Sequence, residues 1–285
     1  MNRIRKFFAG LLALIMPLAG GCARANQSDS QTGFEMHVID VGKADCILIK
    51  CDGEYMLVDT GLKDSEDAIR AYLKAQNVTE FNYVVATHPD KDHIGGMPWI
   101  LSDYKVGQAL VCPLEEDSKS YMRMMAALSA EGTNTAYPKA GDEFTLGGAS
   151  ITVMSPTDAL VATEDENECS IVMMIQYGEK RFLLMGDAQE MAEEWLIKSG
   201  YNLNADVIKI GHHGSDKSTS PIFLNMVKPE YAAISCGYSD KDDYPADSTI
   251  ETLTNAGVKV LRTDEDGTIV FRSDAQSIEV STAGK

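Results

Sequence analysis

Apolar and polar positions alternate in short runs from Phe34 onward, through FEMHVIDV, DCILIKC and YMLVD, with Asp52-Gly53 between the last two. A period of two predicts strands, and an Asp-Gly pair between two such runs predicts a tight antiparallel hairpin. From Asp64 to Gln76 the period changes, because Ala68, Ile69, Tyr72 and Leu73 recur at helical spacing. Tyr83 to Ala86 then reads as a buried strand ending at Thr87, and strand, helix, strand is the signature of a layered α/β fold. The same alternation predicts strands at 107–112, 150–154, 170–177, 180–185, 205–210, 231–236, 258–262 and 267–271, and helices at 117–131, 188–199 and 248–256. No low-complexity linker and no repeat of 20–50 residues divides this stretch, so a single α/β sandwich domain is predicted over residues 34–285.

The first 30 residues follow a different pattern. Arg3, Arg5 and Lys6 precede 13 apolar or small residues from Phe7 to Ala19, and Gly20, Gly21 and Cys22 follow. This is the layout of a signal peptide over residues 1–21. The LAGGC stretch resembles a bacterial lipoprotein signal, which implies cleavage before Cys22 and lipid on that residue. Residues 22–33, polar from Asn26 to Thr32, read as a flexible linker. The apolar run is shorter than the ~20 residues that span a bilayer. The domain is therefore expected on the extracellular face of the bacterial cytoplasmic membrane, anchored to it by lipid, or secreted after cleavage near Ala23 or Ala25. The net charge is −18, and losing residues 1–21 removes three positive charges and no negative one, giving −21. So acidic a surface repels nucleic acid and anionic lipid at long range, and any phosphate-bearing substrate must be attracted locally by metal ions. Besides Cys22 there are five cysteines, an odd number without CxxC spacing, which read as small buried hydrophobes.

Histidine carries the chemistry. The chain has five, and four fall in two short clusters, His88 with His93 and His212 with His213. The first cluster, THPDKDHIGG, leaves the C-terminal end of a buried strand, where α/β sheets place their sites. There His88, Asp90, Asp92 and His93 offer two nitrogens and two oxygens, a set suited to divalent metal, and Gly95 and Gly96 let the chain turn into a following helix. Asp187 leaves the apolar strand FLLM directly for a helix; its carboxylate can bridge two cations or cap the 188–199 helix. His212 and His213 are expected at the end of the strand DVIKI, where neighbouring side chains point to opposite faces and cannot easily share one ion.

His88-Pro-Asp90-Lys-Asp92-His93 resembles the HxHxDH signature of the metallo-β-lactamase superfamily, in the HxDxDH form of its ComEC-like, DNA-uptake branch. Asp40 to Asp45 (DVGKAD) is similar to that branch's DVGQGD, Val58 to Gly61 to its DTG element, Met185-Gly186-Asp187 to its GD, and Gly211 to Ser215 to its HHGS. Arg262 to Gly267 resembles the closing TxxxG segment, so the likeness covers about residues 34 to 272. The resemblance implies a four-layer αββα sandwich holding two divalent metal ions, zinc or manganese. Its ligands would be His88, Asp90, Asp92, His93, Asp187 and His213, and hydrolysis would run through a metal-activated water. Asp92 and His212 would be catalytic, His212 lying on the substrate side, with Asp59 and Asp40 orienting the metal loop. His37, outside every motif, reads as structural.

Two departures bear on activity. Asp90 stands where most members of the superfamily have a second histidine, and no histidine lies between His93 and His212. The first metal site then depends on His88, Asp90 and Asp187, helped by the loop from Asn167 to Ser170, and is the weaker one; the second has Asp92, His93, Asp187 and His213. Asp243-Tyr244-Pro245 falls where ComEC-like domains tend to have Gly-His-Pro, so Tyr244 replaces a substrate-side histidine. The expected activity is phosphodiester hydrolysis, of extracellular DNA or another phosphodiester. The alternatives are esterase action on cell-wall phosphorylcholine or teichoic acid, and a non-catalytic metal-binding surface lipoprotein. No protein partner is inferable.

Overall fold

A computed structural model describes residues 32–237 and 244–284. The signal segment 1–21, Cys22, most of the linker and Asp243 lie outside the described residues. The first half of the fold runs β1 (Phe34–Val38), β2 (Ile47–Cys51), β3 (Glu54–Val58), α1 (Glu66–Ala75), β4 (Glu80–Ala86), α2 (Lys91–Ile94), α3 (Met97–Asp103), β5 (Lys105–Val111), α4 (Lys119–Ala130) and β6 (Thr135–Ala136). The second runs β7 (Glu143–Leu146), β8 (Ala149–Ser155), α5 (Asp158–Val161), β9 (Val172–Tyr177), β10 (Lys180–Leu184), α6 (Glu190–Lys198) and β11 (Val207–Lys209). It continues with α7 (Pro221–Val227), β12 (Tyr231–Ile234), α8 (Asp247–Asn255), β13 (Lys259–Arg262), α9 (Thr263–Asp266), β14 (Ile269–Ser273) and β15 (Ile278–Thr282).

Two sheets stack face to face, one in the order β15-β14-β1-β2-β3-β4-β5-β6 and the other β13-β12-β11-β10-β9-β8-β7. Between them Met36, Ile49 and Val58 pack with Val153, Met173 and Phe182. On the outer face of the first sheet Leu48, Leu57 and Val84 meet Ile69 of α1, Ile100 of α3 and Leu128 of α4. On the outer face of the second, Leu183, Ile208 and Ala232 meet Leu196, Leu224 and Leu253 from α6, α7 and α8. The result is the four-layer αββα sandwich expected from the sequence. Because each sheet is covered on both faces, its central strands read as nearly continuous apolar runs rather than strict alternations.

Strands β2 and β3 pair antiparallel in the register Ile47↔Val58 to Cys51↔Glu54. Asp52 and Gly53 at their turn have φ of 49° and 87°, the left-handed pair that a two-residue hairpin requires. Strands β3, β4 and β5 are mutually parallel in one sheet and β10 to β13 in the other. Parallel strands send their C-terminal ends to one edge, and that edge carries the ligand-type residues.

The sequence pattern missed β6, β7, β15, α2, α5, α7 and α9, which are short, and β15 is exposed along most of its length. One local prediction is corrected. Strand β11 ends at Lys209, so His212 and His213 lie beyond it in a single 3-10 turn, Gly211–Gly214, and the opposite-face argument for strand neighbours does not apply to them. The five cysteines other than Cys22 are free and buried. His37 is fully buried and held between the Tyr72 hydroxyl at 2.7 Å and Glu35 at 2.9 Å. Among the described residues no helix is long and apolar enough to cross a membrane.

Candidate metal centre

Each candidate side chain leaves the C-terminal end of a parallel strand: Asp59 after β3, His88 after β4, Asp187 after β10 and the His212-His213 pair after β11. The Asp90 carbonyl accepts from the N–H groups of His93 and Ile94 at 3.0 Å, closing the one-turn helix α2. That turn buries His93 and leaves Lys91 exposed. The next two residues must be glycine. A Cβ on Gly95 would lie 2.5 Å from the Lys91 carbonyl oxygen, and one on Gly96 would lie 2.4 Å from that of Thr60. The close approach lets Thr60 N–H donate to the His93 carbonyl at 2.6 Å.

Hydrogen bonds fix three imidazoles in one sense. His93 Nδ1 donates to Asp59 Oδ2 at 2.8 Å and His213 Nδ1 to the Ser235 carbonyl at 2.9 Å. The Thr87 hydroxyl donates to Asp59 Oδ2 at 2.7 Å, so at 3.1 Å it accepts from His88 Nδ1. With every Nδ1 engaged as a donor, Nε2 is the position left for a metal on each ring; without metal, Asp187 and Asp59 outweigh burial and favour a proton there on His93. All three Nε2 atoms, with Asp187 Oδ1, are buried and have no hydrogen-bond partner. An orphaned buried polar atom costs about 1–3 kcal/mol, so four converging on one place need a ligand to account for them.

Their spacing fits a cation. Asp187 lies 3.3 Å from His93 Nε2, 3.6 Å from His213 Nε2, 3.8 Å from His88 Nε2 and 3.9 Å from His212 Nε2. His213 Nε2 lies 3.6 Å from Asp92 Oδ2, and His88 Nε2 lies 3.7 Å from Asp90 Oδ2. Donors sharing one ion at ~2.1 Å sit roughly 3–3.5 Å apart, close to these separations. Among the described residues three triads of ligand-type side chains are close enough to share an ion: His88 with His93 and Asp187, Asp92 with His93 and His213, and Asp45 with Asp59 and His93, the last including the carboxylate to which His93 Nδ1 already donates. The six predicted ligand residues are thus brought together, with Asp187 in their midst. Asp187 does not cap α6, since Met191 and Ala192 N–H donate to Glu168 at 3.1 and 2.8 Å.

His212 and His213 both have left-handed backbone, φ 47° and 53°, which costs a non-glycine residue about 1–3 kcal/mol. The turn is held by His212 N–H to the Gly186 carbonyl, Ser215 N–H to the His212 carbonyl and the Ser218 hydroxyl to the Gly211 carbonyl. Both imidazoles therefore face Asp187. His212 alone is partly open to solvent, and its ring stands edge-on to Tyr244 at 5.3 Å between centroids. Burial pushes the His212 pKa down against the pull of Asp187, so the ring is neutral near neutral pH.

Charges around the centre are graded. Burial opposes ionisation of Asp92, but His213 and His93 outweigh it and hold its carboxyl below the ordinary range. Asp90 is the most open of the six, and a hydrogen bond with it, helped by burial, pushes the Glu166 carboxyl up to about 8. Asp40 Oδ1 accepts from Gly42 N–H at 3.3 Å. Sequence reasoning overlooked Lys209 and Asp45. Lys209 is fully buried, its Nζ 2.9 Å from Asp45 Oδ2 and 2.9 Å from the Ile210 carbonyl, while Asp45 Oδ1 lies 3.7 Å from His213 Nδ1. The available signal was a lysine inside the apolar run DVIKI.

Asp59 makes no direct approach to the Nε2 side, yet it orients His93 and Thr87 together, accepting also from Thr87 N–H at 2.9 Å. Its φ of 58° is one that asparagine tolerates, so Asp59→Asn keeps the backbone, but it removes the charge and sets an NH2 group against groups that donate to Asp59. We expect it to weaken divalent-metal affinity by about 10- to 100-fold in calorimetric titration and to lower the thermal stability of the metal-free protein as well.

Residues 39–238 match the family described as the Metallo-beta-lactamase superfamily. The chain is 27% identical over 256 residues to ComE operon protein 3 of Bacillus subtilis, covering 84% of this chain and 33% of that protein. It is 28% identical over 259 residues to Competence protein ComA of Neisseria gonorrhoeae, covering 90% and 35%. It therefore spans about a third of the length of these curated relatives. In structure it is similar to the metallo-beta-lactamase fold protein YhfI from Bacillus subtilis, with a TM-score of 0.56, 12% identity, and coverage of 85% of this chain and 100% of that one.

Proposed function

This chain belongs to the metallo-β-lactamase superfamily and carries its metal-dependent hydrolase fold, and we propose that the bond it hydrolyses is a phosphodiester, in DNA or a smaller molecule. The observation that carries the reading is the convergence of His88, His93, His213 and Asp92 on Asp187 in two overlapping donor triads, with the single free lone pair of His93 available to one ion. Cations held by these residues would favour phosphorus chemistry, because they would stabilise charge on the oxygens of a phosphoryl group. The motifs' resemblance to the DNA-uptake branch, together with the likeness to Competence protein ComA, supports the same reading.

Cations held there supply a water of lowered pKa and neutralise charge in the transition state. The chain's own residues do the rest. Asp59, Thr87 and the Ser235 carbonyl hold the three imidazoles in the metal-binding tautomer. Asp187 places one carboxylate between them. His212, neutral and beside Tyr244, offers an N–H to an oxygen of the substrate. Lys43, 3.7 Å from Asp92, adds positive charge in a chain that is otherwise strongly acidic. We also propose that the domain works outside the cytoplasmic membrane on a lipid-modified Cys22, which an intact mass of the mature N-terminus tests.

The purified protein is assayed for metal content and for turnover of bis-p-nitrophenyl phosphate, linear DNA and p-nitrophenylphosphorylcholine, with and without chelator. Chelator-sensitive cleavage of the first two supports the proposal. Turnover of the choline ester alone moves the assignment to a cell-wall esterase, and bound metal with no turnover to a binding protein. His212→Ala is expected to lower turnover by about 10²-fold or more with metal content unchanged. Loss of metal in that variant would make His212 a ligand instead.

A further inference from the structure

Two residues far apart in sequence meet at the edge of the donor cluster. Lys43 sits in the turn between β1 and β2, and Tyr244 lies in the segment just before α8. Lys43 Nζ stands 5.4 Å from the centre of the Tyr244 ring and 3.7 Å from Asp92 Oδ2, and the same ring meets the His212 imidazole at 5.3 Å between centroids. We propose that Lys43 and Tyr244 form a phosphate subsite on the open side of the metal centre, in which the ammonium binds a phosphate oxygen of the substrate and the phenol ring keeps the ammonium in place. The proposal rests on the phosphodiester reading above and deepens it by naming the groups that recognise the substrate's charge.

Exposure shows which side is open. The side chains of His88, His93 and His213 are 0% exposed, whereas Lys43 and His212 keep 19% and 17% and Tyr244 is half-buried. A substrate that reaches the buried donors must pass these three groups. Within ~6 Å of an aromatic ring an ammonium is attracted to it, so the Tyr244 ring restrains a side chain that would otherwise swing freely. In the metal-free protein the ammonium balances Asp92. Asp92 belongs to a donor triad, and a cation that takes up its charge leaves the ammonium to attract a further anion. Lysine serves phosphate in this way, as a point charge. In a chain with 43 acidic side chains against 25 basic ones, recognition of an anion depends on such local charge.

Both residues are placed by the loops that carry the metal donors. Ala44 N–H donates to the Gly42 carbonyl at 2.9 Å and Asp45 N–H to the Asp92 carbonyl at 3.2 Å, which ties the Lys43 turn to the metal loop. Gly237 closes on that turn so tightly that a Cβ on it would lie 2.7 Å from Gly42 Cα. Tyr244 is tied down two residues later, where Ala246 N–H donates at 2.9 Å to the carbonyl of Gly214, in the turn that carries His212 and His213. Lys43 also falls at the glutamine of the DVGQGD that DVGKAD resembles, and Tyr244 at the histidine of Gly-His-Pro. These two departures touch in space, and together they set a permanent positive charge where the motif has an amide.

The test is steady-state turnover of bis-p-nitrophenyl phosphate by the metal-loaded full chain, with inorganic phosphate as competitive inhibitor. Lys43→Gln is expected to raise both KM and the phosphate inhibition constant by about 10-fold or more, with kcat changed far less and metal content retained. Lys43→Arg should restore part of the loss. Added salt should raise KM more steeply in the parent than in Lys43→Gln, a difference that a merely structural role would not produce. Tyr244→His should raise KM as well, and in combination with Lys43→Gln should add little, because the ring acts through the ammonium. Equal constants in parent and Lys43→Gln, or effects of the two changes that simply add, overturn the subsite and leave the phosphodiester reading standing. So does loss of metal from Lys43→Gln, which would make the lysine a support for Asp92. No turnover by the parent overturns the phosphodiester reading and the subsite with it.

Discussion

Asp187→Asn is expected to abolish hydrolysis for practical purposes, by about 10³-fold or more, equivalent to roughly 4 kcal/mol of transition-state stabilisation. Among the described residues its carboxylate alone lies within 3.9 Å of all four clustered histidines, as a member of one donor triad and beside His213 of the other. The amide keeps the shape and loses the charge, and metal content should fall with activity; unchanged metal content would show that Asp187 is not a ligand. The same variant alters the metal-free protein in a pH-dependent way. Burial opposes a proton on His93, but Asp187 and then Asp59 outweigh it and hold its pKa well above the ordinary value. A folded pKa raised above the unfolded one gives stability that is complete below about pH 6.5 and is lost as pH rises through the folded value. In chelator-treated parent protein, urea denaturation should therefore show stability falling as pH rises above 7. Asp187→Asn removes the largest attraction on that proton and should flatten the decline.

Most of the fold was legible because its signals are local. The hairpin was announced by Asp52-Gly53, and both residues take the positive φ that such a turn demands. The histidine clusters were legible for a related reason, since a parallel strand must end at one edge and the loops that follow are short. What escaped the sequence depended on contacts distant along the chain. Asp187 could have been a helix cap until Glu168, 19 residues earlier, was seen to do that work. The DVIKIGHHG run contains no breaker before Gly211, so nothing local shows that the strand stops at Lys209 and that the next histidines turn left-handed. The acidic stretch from Glu164 to Glu168 reads as a solvated loop, although one of its carboxyls reaches Asp90.

Lys209→Met is expected to destabilise the fold by about 3–5 kcal/mol, the largest effect on stability of any single change near the site. Lys209 is fully buried on β11, between strands that pair with it on both sides, and its ammonium meets Asp45, only 1% exposed. Methionine fills the same space, so the cost is not a cavity; it is a carboxylate left in the interior without its counter-charge. Burial pushes the Asp45 pKa up, and Lys209 is the largest influence bringing it below the ordinary value. A folded pKa depressed in this way contributes stability above the unfolded value of ~4, and that contribution is lost as pH falls through the folded one. Without the lysine the depression reverses, and Asp45 becomes a group that pays to ionise in the folded state. The deficit of Lys209→Met against the parent, measured by urea denaturation, should therefore be largest near pH 7 and shrink toward pH 4. Adding Asp45→Asn to Lys209→Met removes the stranded charge and should restore most of the loss, because the pair costs nearly as much to bury as it returns. A double variant no more stable than Lys209→Met would mean that the lysine acts through its bond to the Ile210 carbonyl, which holds the chain just before the histidine turn.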